Sequence, residues 1–452
     1  MSVVVCADVG STFTKVAVVD SADGMLRATA AHPTTAATDV WDGLVAAVWR
    51  AGARAGVDVA AVPWLVCSSA GGGLRLAVVG YEELVTARAG ARVGLSAGAR
   101  VVRVSAGWLD DVEVARLRAA RPEVLLLVGG TDGGDVEVLL HNAGWLAGSG
   151  LAVPVVVAGN ADGGARAAEV LAEAGVPVAV AGNVLPRIGV LAPGSARAAV
   201  REVFLRRVIG GKGLSRDGRF AASVRAATPD AVLAGVEVLA GVTGADLLVV
   251  DVGGATTDVY SVVEAVPLPG AAEPRPVGEV AGWWGRARTV EGDLGVWSGA
   301  SGVVAAAVAE RLVTGREADG LAAAVAARAA GQGRVAAGDG PPSAVDLRLA
   351  RLAALVAVRR HARVEERVPD SGRDLRRVRW LVGSGGVLRA AASVDAVGVL
   401  ESVAADRGGG WLVPRAAVPV VDGEYVLAAA GLLAADHPRA ARGLVERYLL
   451  PG

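Results

Sequence analysis

Two short stretches of the sequence place an acid, glycines and hydroxyl side chains at the same spacing behind an apolar run. In "VVVCADVGSTFTKVAVVD" these residues are Asp8, Gly10, Ser11, Thr12, Thr14 and Lys15. In "LLVVDVGGATTDV" they are Asp251, Gly253, Gly254, Thr256, Thr257 and Asp258. A glycine turn between two strands can surround phosphate oxygens with backbone amides. The carboxylates of Asp8 and Asp251 suit Mg²⁺, a hard cation that takes oxygen ligands.

A single turn of this kind is usually an ordinary hairpin, so the repetition is the informative feature. Two such hairpins can hold one phosphate chain from both sides. Lys15 either neutralises phosphate charge or simply points outward from its strand. The repeated pattern predicts a nucleotide-phosphate site in which Asp8, Asp251 and Asp258 are the catalytic acids.

A third stretch, "LVGSGGVLR", supplies a glycine-rich turn after a strand-like run. Its turn residues are Gly383, Ser384, Gly385 and Gly386. Glycines at such a turn allow an adenine and a ribose to lie against the backbone. The dinucleotide fingerprint does not fit, because Leu388 stands where its last glycine would be. The segment "IGGKGLSR" is not a P-loop either, because Arg206 occupies the position of the first glycine.

The order of these three elements resembles the phosphate-1, phosphate-2 and adenosine motifs of the actin, Hsp70 and sugar-kinase superfamily. That resemblance implies two ribonuclease-H-like lobes that bind ATP and Mg²⁺ in the cleft between them. On this reading the hairpin is present twice because each lobe contributes one side of the phosphate site.

A closer resemblance covers almost the whole chain. The segments "CSSAGGGLRLAVVG", "LLLVGGTDGGD", "VVVAGNADGG", "GNVLPRIGVL", "RTVEGDLGVWSGA" and "YVLAAAGLL" look like those of the MutL or GlmL proteins. These are accessory proteins of the coenzyme-B12-dependent glutamate (methylaspartate) mutase, distinct from the mismatch-repair protein of similar name and related to hydantoinase A. The resemblance implies a slow, chaperone-like Mg²⁺-dependent ATPase that protects or reactivates an adenosylcobalamin mutase.

Periodicity predicts the elements that position these residues. Strand-like runs "SVVVCADVG", "TKVAVVD" and "MLRATAAH" are followed by an amphipathic helix over Val40–Ala55 and the strand "WLVCSS". From about Ala97 to Leu185, short apolar strands that end in glycine turns alternate with helices, a pattern typical of a parallel α/β sheet. We therefore predict an α/β protein with two ribonuclease-H-like lobes and an extra parallel α/β layer inserted in the first.

The predicted boundaries follow from the same pattern. The first lobe covers 1–243, with the inserted layer at about 97–190, and the second lobe covers 244–452. Within the second lobe we predict helices over Ser301–Val313 and over much of the segment Val345–Arg367. The strand "RWLVGSGGVL" and an apolar C-terminal helix over 424–436 follow. A proline-rich loop, 267–279, follows the second hairpin.

Composition excludes several classes of function. The 452-residue chain is 53% hydrophobic and carries a formal net charge of −1, so no global field attracts nucleic acid or an anionic membrane. The arginine-rich segment 348–379 has interleaved acids, which favours a solvated helix face over an RNA-binding one. Cys6 and Cys67 lie in apolar runs, as expected of buried thiols in a reducing cytoplasm. Scattered histidines argue against a zinc site, and the oligomeric state stays open.

Several alternatives remain at this stage. Asp132 and Asp135 in "GGTDGGD" either contact Mg²⁺ or a client protein, or belong to a strand-to-helix turn. Glu291 and Asp293 in "TVEGDLG" either line the nucleotide cleft or cap the next helix. A small-molecule kinase, with Asp258 or Asp132 as its base, and a hydantoinase- or oxoprolinase-like enzyme would use the same cleft. Iron–sulfur activators of this fold need paired cysteines between the lobes, and the sequence has none there.

Overall fold

The computed structural model describes residues 3–70, 74–82, 90, 99–188, 190, 192–204, 213–263, 286–329, 340–363 and 373–450. The chain forms two compact units. The first consists of Met1–Ala70, Thr228–Pro274 and Trp284–Gly452, and the second of Gly71–Ala227 and Arg275–Trp283. The proline-rich loop predicted at 267–279 lies outside the described residues.

The first unit begins with an antiparallel meander and a helix. Its elements are β1 (Val3–Val9), β2 (Phe13–Asp20), β3 (Leu26–Pro33), α1 (Val40–Ala55) and β4 (Trp64–Ser68). β2 lies antiparallel between β1 and β3, and β4 runs parallel to β1 on its other side. Helix α1 begins where the Asp39 side chain accepts a hydrogen bond from Trp41 N, and ends at Gly56 in the left-handed conformation. These elements confirm the predicted strands and helix.

The second sheet of this unit repeats the same order of strands. It consists of β11 (Leu247–Val252), β12 (Thr257–Val262), β13 (Arg286–Glu291), β14 (Trp380–Ser384) and β15 (Val418–Val421). β11, β12 and β13 form an antiparallel meander, and β14 lies parallel to β11. The strands of both sheets are therefore arranged as 3-2-1-4, with a glycine turn between the first and second strand. This duplication confirms the predicted pair of ribonuclease-H-like lobes.

Helices complete the first unit and differ in part from the predictions. They are α7 (Thr228–Thr243), α8 (Ala300–Ala309), α9 (Gly315–Ala329), α10 (Ala344–Ala362), α11 (Gly386–Ala390), α12 (Ser393–Ala404), α13 (Val426–Leu433) and α14 (Pro438–Leu449). Neither α7 nor α14 is among the helices predicted from the sequence. α7 and α13 cross at two glycines, since a Cβ on Gly235 would lie 2.0 Å from Leu427 O and one on Gly431 1.8 Å from Ala231 O.

Helix α10 corrects the prediction of a solvated, arginine-rich face. Most of its residues are buried in the core of the second lobe. Arg359 is only 4% exposed and donates to both carboxylate oxygens of Asp406, at 2.6 and 2.8 Å. Because its charged side chains find acidic partners on distant segments, the helix can be buried despite its composition.

The second unit contains the predicted parallel sheet. Its elements are β5 (Arg75–Gly80), β6 (Arg100–Ala106), α2 (Asp111–Ala120), β7 (Val124–Leu127), α3 (Glu137–Gly148), β8 (Val155–Val157), α4 (Ala161–Glu173), β9 (Val178–Val180), α5 (Gly194–Val203), α6 (Gly218–Ser223) and β10 (Val224–Ala227). β5 to β9 are parallel in the order β6-β5-β7-β8-β9, around a core of Leu and Val side chains. The predicted insertion at about 97–190 lies within this unit, whose sheet also includes β5.

No helix among the described residues is long and apolar enough to cross a membrane.

Candidate functional site

The two glycine turns have the same backbone geometry. Gly10 N donates to Phe13 O at 3.1 Å, and Gly253 N donates to Thr256 O at 2.9 Å. A Cβ on Gly10 would lie 2.8 Å from Phe13 O, and one on Gly253 2.7 Å from Thr256 O. Since real Cβ atoms do not approach a carbonyl oxygen so closely, both turns require glycine. Such turns keep the backbone free of side chains where a phosphate would lie.

Strand register decides which side chains share a face. Asp8 lies opposite Lys15 on β1 and β2, and Asp251 lies opposite Asp258 on β11 and β12. Directly opposite residues of an antiparallel pair point to the same side of the sheet. The two hairpins therefore present an acid–lysine pair and an acid–acid pair at equivalent positions.

Asp8 is almost completely buried, with 3% of its surface exposed, and it is surrounded by donors. Its Oδ2 accepts from Lys15 Nζ at 3.4 Å and from the Tyr425 hydroxyl at 2.9 Å. Its Oδ1 accepts from the Thr228 hydroxyl at 2.5 Å and from Cys67 Sγ at 3.6 Å. These contacts place the start of α7 and the start of α13 beside the first hairpin.

Asp251 lies in the same electrostatic environment. Burial raises the pKa of its carboxyl from 3.8 to about 6, Lys15 opposes the rise, and Asp258, Asp8 and Asp422 add to it. The site therefore gathers negative charge from both hairpins. Carboxylates that are partly or fully buried, and in excess of their positive partners, are a suitable donor set for a divalent cation.

Asp258 forms an ion pair with an arginine that was absent from the predicted site. Arg288 on β13 is 6% exposed and donates to Asp258 Oδ1 from Nη2 at 2.6 Å and from Nε at 3.0 Å. The Thr256 hydroxyl lies 3.4 Å from the other oxygen. Asp258 thus faces the site, but part of its hydrogen-bonding capacity is already used. A lone arginine on a strand gave no local signal for this role.

The predicted hydroxyl residues fall into two groups. Thr14 and Thr257 are fully buried, where Thr14 Oγ1 lies 3.2 Å from Thr34 Oγ1 and Thr257 Oγ1 donates to Leu294 O at 2.5 Å. Both hydroxyls hold the hairpins against their own lobe. The residues at the turns themselves are accessible, at least in part: Ser11, Thr12, Gly254 and Thr256.

The residues of the third glycine stretch also fall into two groups, those packed inside the protein and one that faces solvent. Gly383 packs against Leu388 and Leu400, and a Cβ on Gly385, whose φ is +107°, would lie 2.2 Å from Val252 O. Ser384 is buried opposite Asp251 on the neighbouring strand. Gly386 is exposed, and no described atom lies within 4 Å of an added Cβ there. Of the four, only Gly386 presents open backbone to a ligand.

A loop after β13 supports the second hairpin. Trp297 N donates to Gly254 O at 2.9 Å, and Gly295 packs directly on Ala255. Arg360 of α10 anchors this loop through Glu291 at 2.7 Å and Asp293 at 2.9 Å. Glu291 and Asp293 are thus positioned by an ion pair with Arg360, an arrangement that neither sequence interpretation anticipated.

In the second unit, Asp132 and Asp135 connect loops at the ends of parallel strands. Asp132 Oδ1 accepts from Ala161 N at 2.9 Å and from Asn183 Nδ2 at 2.8 Å, and Asp135 accepts from Glu137 N at 2.7 Å. These contacts match the interpretation of both acids as parts of strand-to-helix turns. The buried Asn160 adds a second connection by donating to Thr131 O at 2.7 Å.

The described residues contain no group of three or more His, Cys, Asp or Glu side chains that could hold a metal by themselves. Mg²⁺ at nucleotide sites is usually bound by one or two carboxylates together with phosphate oxygens and water. Asp8 and Asp251 meet that requirement, and the excess negative charge around Asp251 fits a cation. Thr228, Asp422 and Tyr425 complete this environment, although the sequence pattern gave no role to Thr228 or Asp422 and placed Tyr425 only in an apolar helix.

Two sheets with one strand order, each with an acid and a glycine turn between its first two strands, define the two-lobed nucleotide-binding fold of actin, Hsp70 and sugar kinases. Within that class, the family model "MutL protein" matches residues 4–449. "Protein MutL" of Clostridium tetanomorphum is 33% identical over 465 aligned residues, which cover 98% of both chains. The chain therefore belongs to the MutL protein family, as the resemblance of its motifs predicted.

Two solved structures of more distant proteins are weakly similar to the chain. An ATP-dependent caprolactamase from Pseudomonas jessenii is 15% identical, with a TM-score of 0.38 over 96% of this chain and 71% of its own. A ROK hexokinase from Thermus thermophilus is 15% identical, with a TM-score of 0.27 over 98% and 97%. These scores are low, so the assignment of the fold rests on the duplicated sheets.

Proposed function

We propose that this protein is a cytoplasmic, Mg²⁺-dependent ATPase that serves as an accessory factor for a coenzyme-B12-dependent mutase, such as glutamate mutase. The proposal that the protein binds Mg²⁺·ATP depends on the proximity of Asp8 and Asp251. These acids come from duplicated hairpins 243 positions apart and share one electrostatic environment. The proposal that its partner is a B12-dependent mutase rests on membership of the MutL family.

The proposed roles follow from accessibility and charge. Backbone amides at the two turns, with Ser11, Thr12, Gly254 and Thr256, bind the phosphates, and Lys15 neutralises part of their charge. Asp8 and Asp251 hold Mg²⁺, which when bound supplies charge stabilisation for phosphoryl transfer. Adenosine lies at Gly386.

The remaining predicted residues support this site. Thr14, Thr257, Gly383 and Gly385 keep the hairpins and the third turn in place through their buried contacts. Asp258, held by Arg288, adds negative charge beside Asp251 and orients the water that attacks the terminal phosphate.

Calorimetry with Mg²⁺·ATP tests the nucleotide site. We expect Asp8→Asn and Asp251→Asn to weaken binding at least about tenfold, because each removes a charge at the metal. Asp395→Asn, which changes an exposed acid on α12, is the matched control and should bind normally. Undiminished affinity in both cleft variants would refute the site.

A turnover assay tests the accessory role against the kinase and ring-opening alternatives. We expect slow basal ATP hydrolysis that rises when an inactivated B12-dependent mutase is added. Metabolic kinases typically turn over at about 1–1000 per second once their acceptor is present. A stoichiometric phosphorylated product from a panel of polyols, sugars and carboxylic acids, without stimulation by any mutase, would establish a kinase instead.

A further inference from the structure

The carboxylate of Asp8 is saturated with hydrogen bonds. An ionised carboxylate offers about four lone-pair positions. Among the described residues, Tyr425, Lys15, Thr228 and Cys67 supply four donors, two to each oxygen. A cation that binds this carboxylate directly therefore has to replace one of these donors.

Tyr425, which donates to Asp8, also has an unusual backbone conformation. Its φ of +58° lies in the left-handed region, which is costly for a bulky residue. The residue is held there at the start of α13, where Asp422 accepts from Val426 N at 2.7 Å and Leu427 N at 3.2 Å. Backbone strain of this kind is concentrated at sites where a segment changes position.

The side chain of Tyr425 contacts both groups of the first hairpin that would meet a nucleotide. Its hydroxyl donates to Asp8 Oδ2, and the Lys15 ammonium lies 3.7 Å from the centre of its ring. A carboxylate only accepts hydrogen bonds, so the phenol hydroxyl is the donor in this contact.

We propose that Tyr425 is a positioning residue that competes with the metal for Asp8. Its hydroxyl and a metal ion exclude each other at Oδ2, whereas Thr228 holds the other oxygen in both arrangements. Release of the hydroxyl frees the first turn of α13 from the first hairpin, so metal loading is coupled to the position of that helix. The inference rests on the proposed Mg²⁺·ATP site.

Tyr425→Phe tests the competition because it removes the hydroxyl and keeps the ring on Lys15. We expect the affinity for Mg²⁺·ATP to rise about tenfold, the change produced by removing one competing hydrogen bond to a charged group. The affinity for ATP in the presence of EDTA should stay unchanged. Tyr448→Phe is the matched control, since that hydroxyl accepts from Leu26 N at 3.1 Å, and both affinities should stay unchanged.

Amide hydrogen exchange provides a readout that a purely structural role would not alter. In the unmodified protein, Mg²⁺·ATP should speed exchange at Val426 and Leu427, whereas in Tyr425→Phe exchange there should already be fast and unaffected by the ligand. If the unmodified protein binds Mg²⁺·ATP and Tyr425→Phe binds it equally or more weakly, the competition is refuted. If the unmodified protein does not bind Mg²⁺·ATP, the proposed function fails and the competition with it.

Discussion

Replacing Asp251 by asparagine should stabilise the protein while it weakens metal binding. The folded protein holds this carboxyl where burial and three neighbouring acids disfavour its charged form. Asparagine keeps the shape of the side chain and removes the charge. A binding site can hold a charge that destabilises the ligand-free protein and is compensated only when the ligand binds. Removing such a charge increases stability and weakens binding.

The size of the gain follows from the pKa. The value rises from 3.8 to about 6, a difference of about two pH units, each equivalent to about 1.4 kcal/mol. The cost of the charge is thus about 3 kcal/mol at most, and reorganisation around the site reduces it, so we expect a gain of about 1–3 kcal/mol at pH 8.

The pH dependence has a definite sign. Because the pKa of this acid is raised on folding, the folded state binds more protons than the unfolded state between pH 3.8 and about 6. The carboxyl therefore lowers stability progressively as pH rises through that range, and its full cost is present above pH 6. The advantage of the asparagine variant should fall to about half its pH 8 value at pH 5.

Urea unfolding of both proteins at pH 8 and pH 5 measures these differences, and calorimetry with Mg²⁺·ATP at pH 8 measures the loss of affinity. An equal stability of the two proteins at pH 8 would refute the raised pKa. A gain of the same size at both pH values would show that the effect comes from packing and not from charge.

Four further substitutions test glycines, two at the third turn and two along α7. Gly386→Val should weaken ATP binding at least about fivefold by calorimetry and leave the melting temperature without ligand nearly unchanged, because the added side chain meets open space; a large loss of that stability with normal affinity would contradict it. Gly385→Ala should instead cost about 2 kcal/mol or more in urea unfolding, because of its φ and its contact with Val252 O. Gly235→Ala should lower the free energy of unfolding by about 2 kcal/mol or more, because it lies at the crossing of α7 and α13. Gly241→Ala lies in the same helix with no described atom near its Cβ, and it should raise the free energy of unfolding by about 0.5–1 kcal/mol. Equal effects at Gly235 and Gly241 would show that the helices do not meet there.

The hairpins could be predicted because their signal is local. The spacing from Asp8 to Lys15 sets the strands, the turn and the shared face at once, and the same holds from Asp251 to Asp258. The residues that surround the hairpins come from distant parts of the sequence. The Tyr425 hydroxyl, which donates to Asp8, belongs to a residue 417 positions away. No spacing rule connects residues so far apart.

The sequence pattern also failed to reveal helix α7 and the burial of helix α10. α7 begins with "TPD", a usable start signal, but apolar residues lie on most of its faces and hide its helical period. α10 has many arginines and was therefore expected at the surface. Two partners distant in the sequence, Asp406 and Glu310, explain how Arg359 can be buried, and they are visible only in the folded chain.

The pairing of Lys15 with Asp8 and of Asp258 with Asp251 has a consequence for ligand polarity. Two hairpins of identical charge would offer a phosphate chain two equivalent orientations. Here the first pair is neutral as a unit, whereas the second remains negative by one charge after Arg288 is counted. With ATP and Mg²⁺ bound as proposed, phosphate charge is therefore favoured beside Lys15 at the first hairpin and the cation beside Asp251 at the second. Lys15 and Asp258 thus differ at equivalent positions of the two hairpins, and this difference gives the proposed phosphate site a direction.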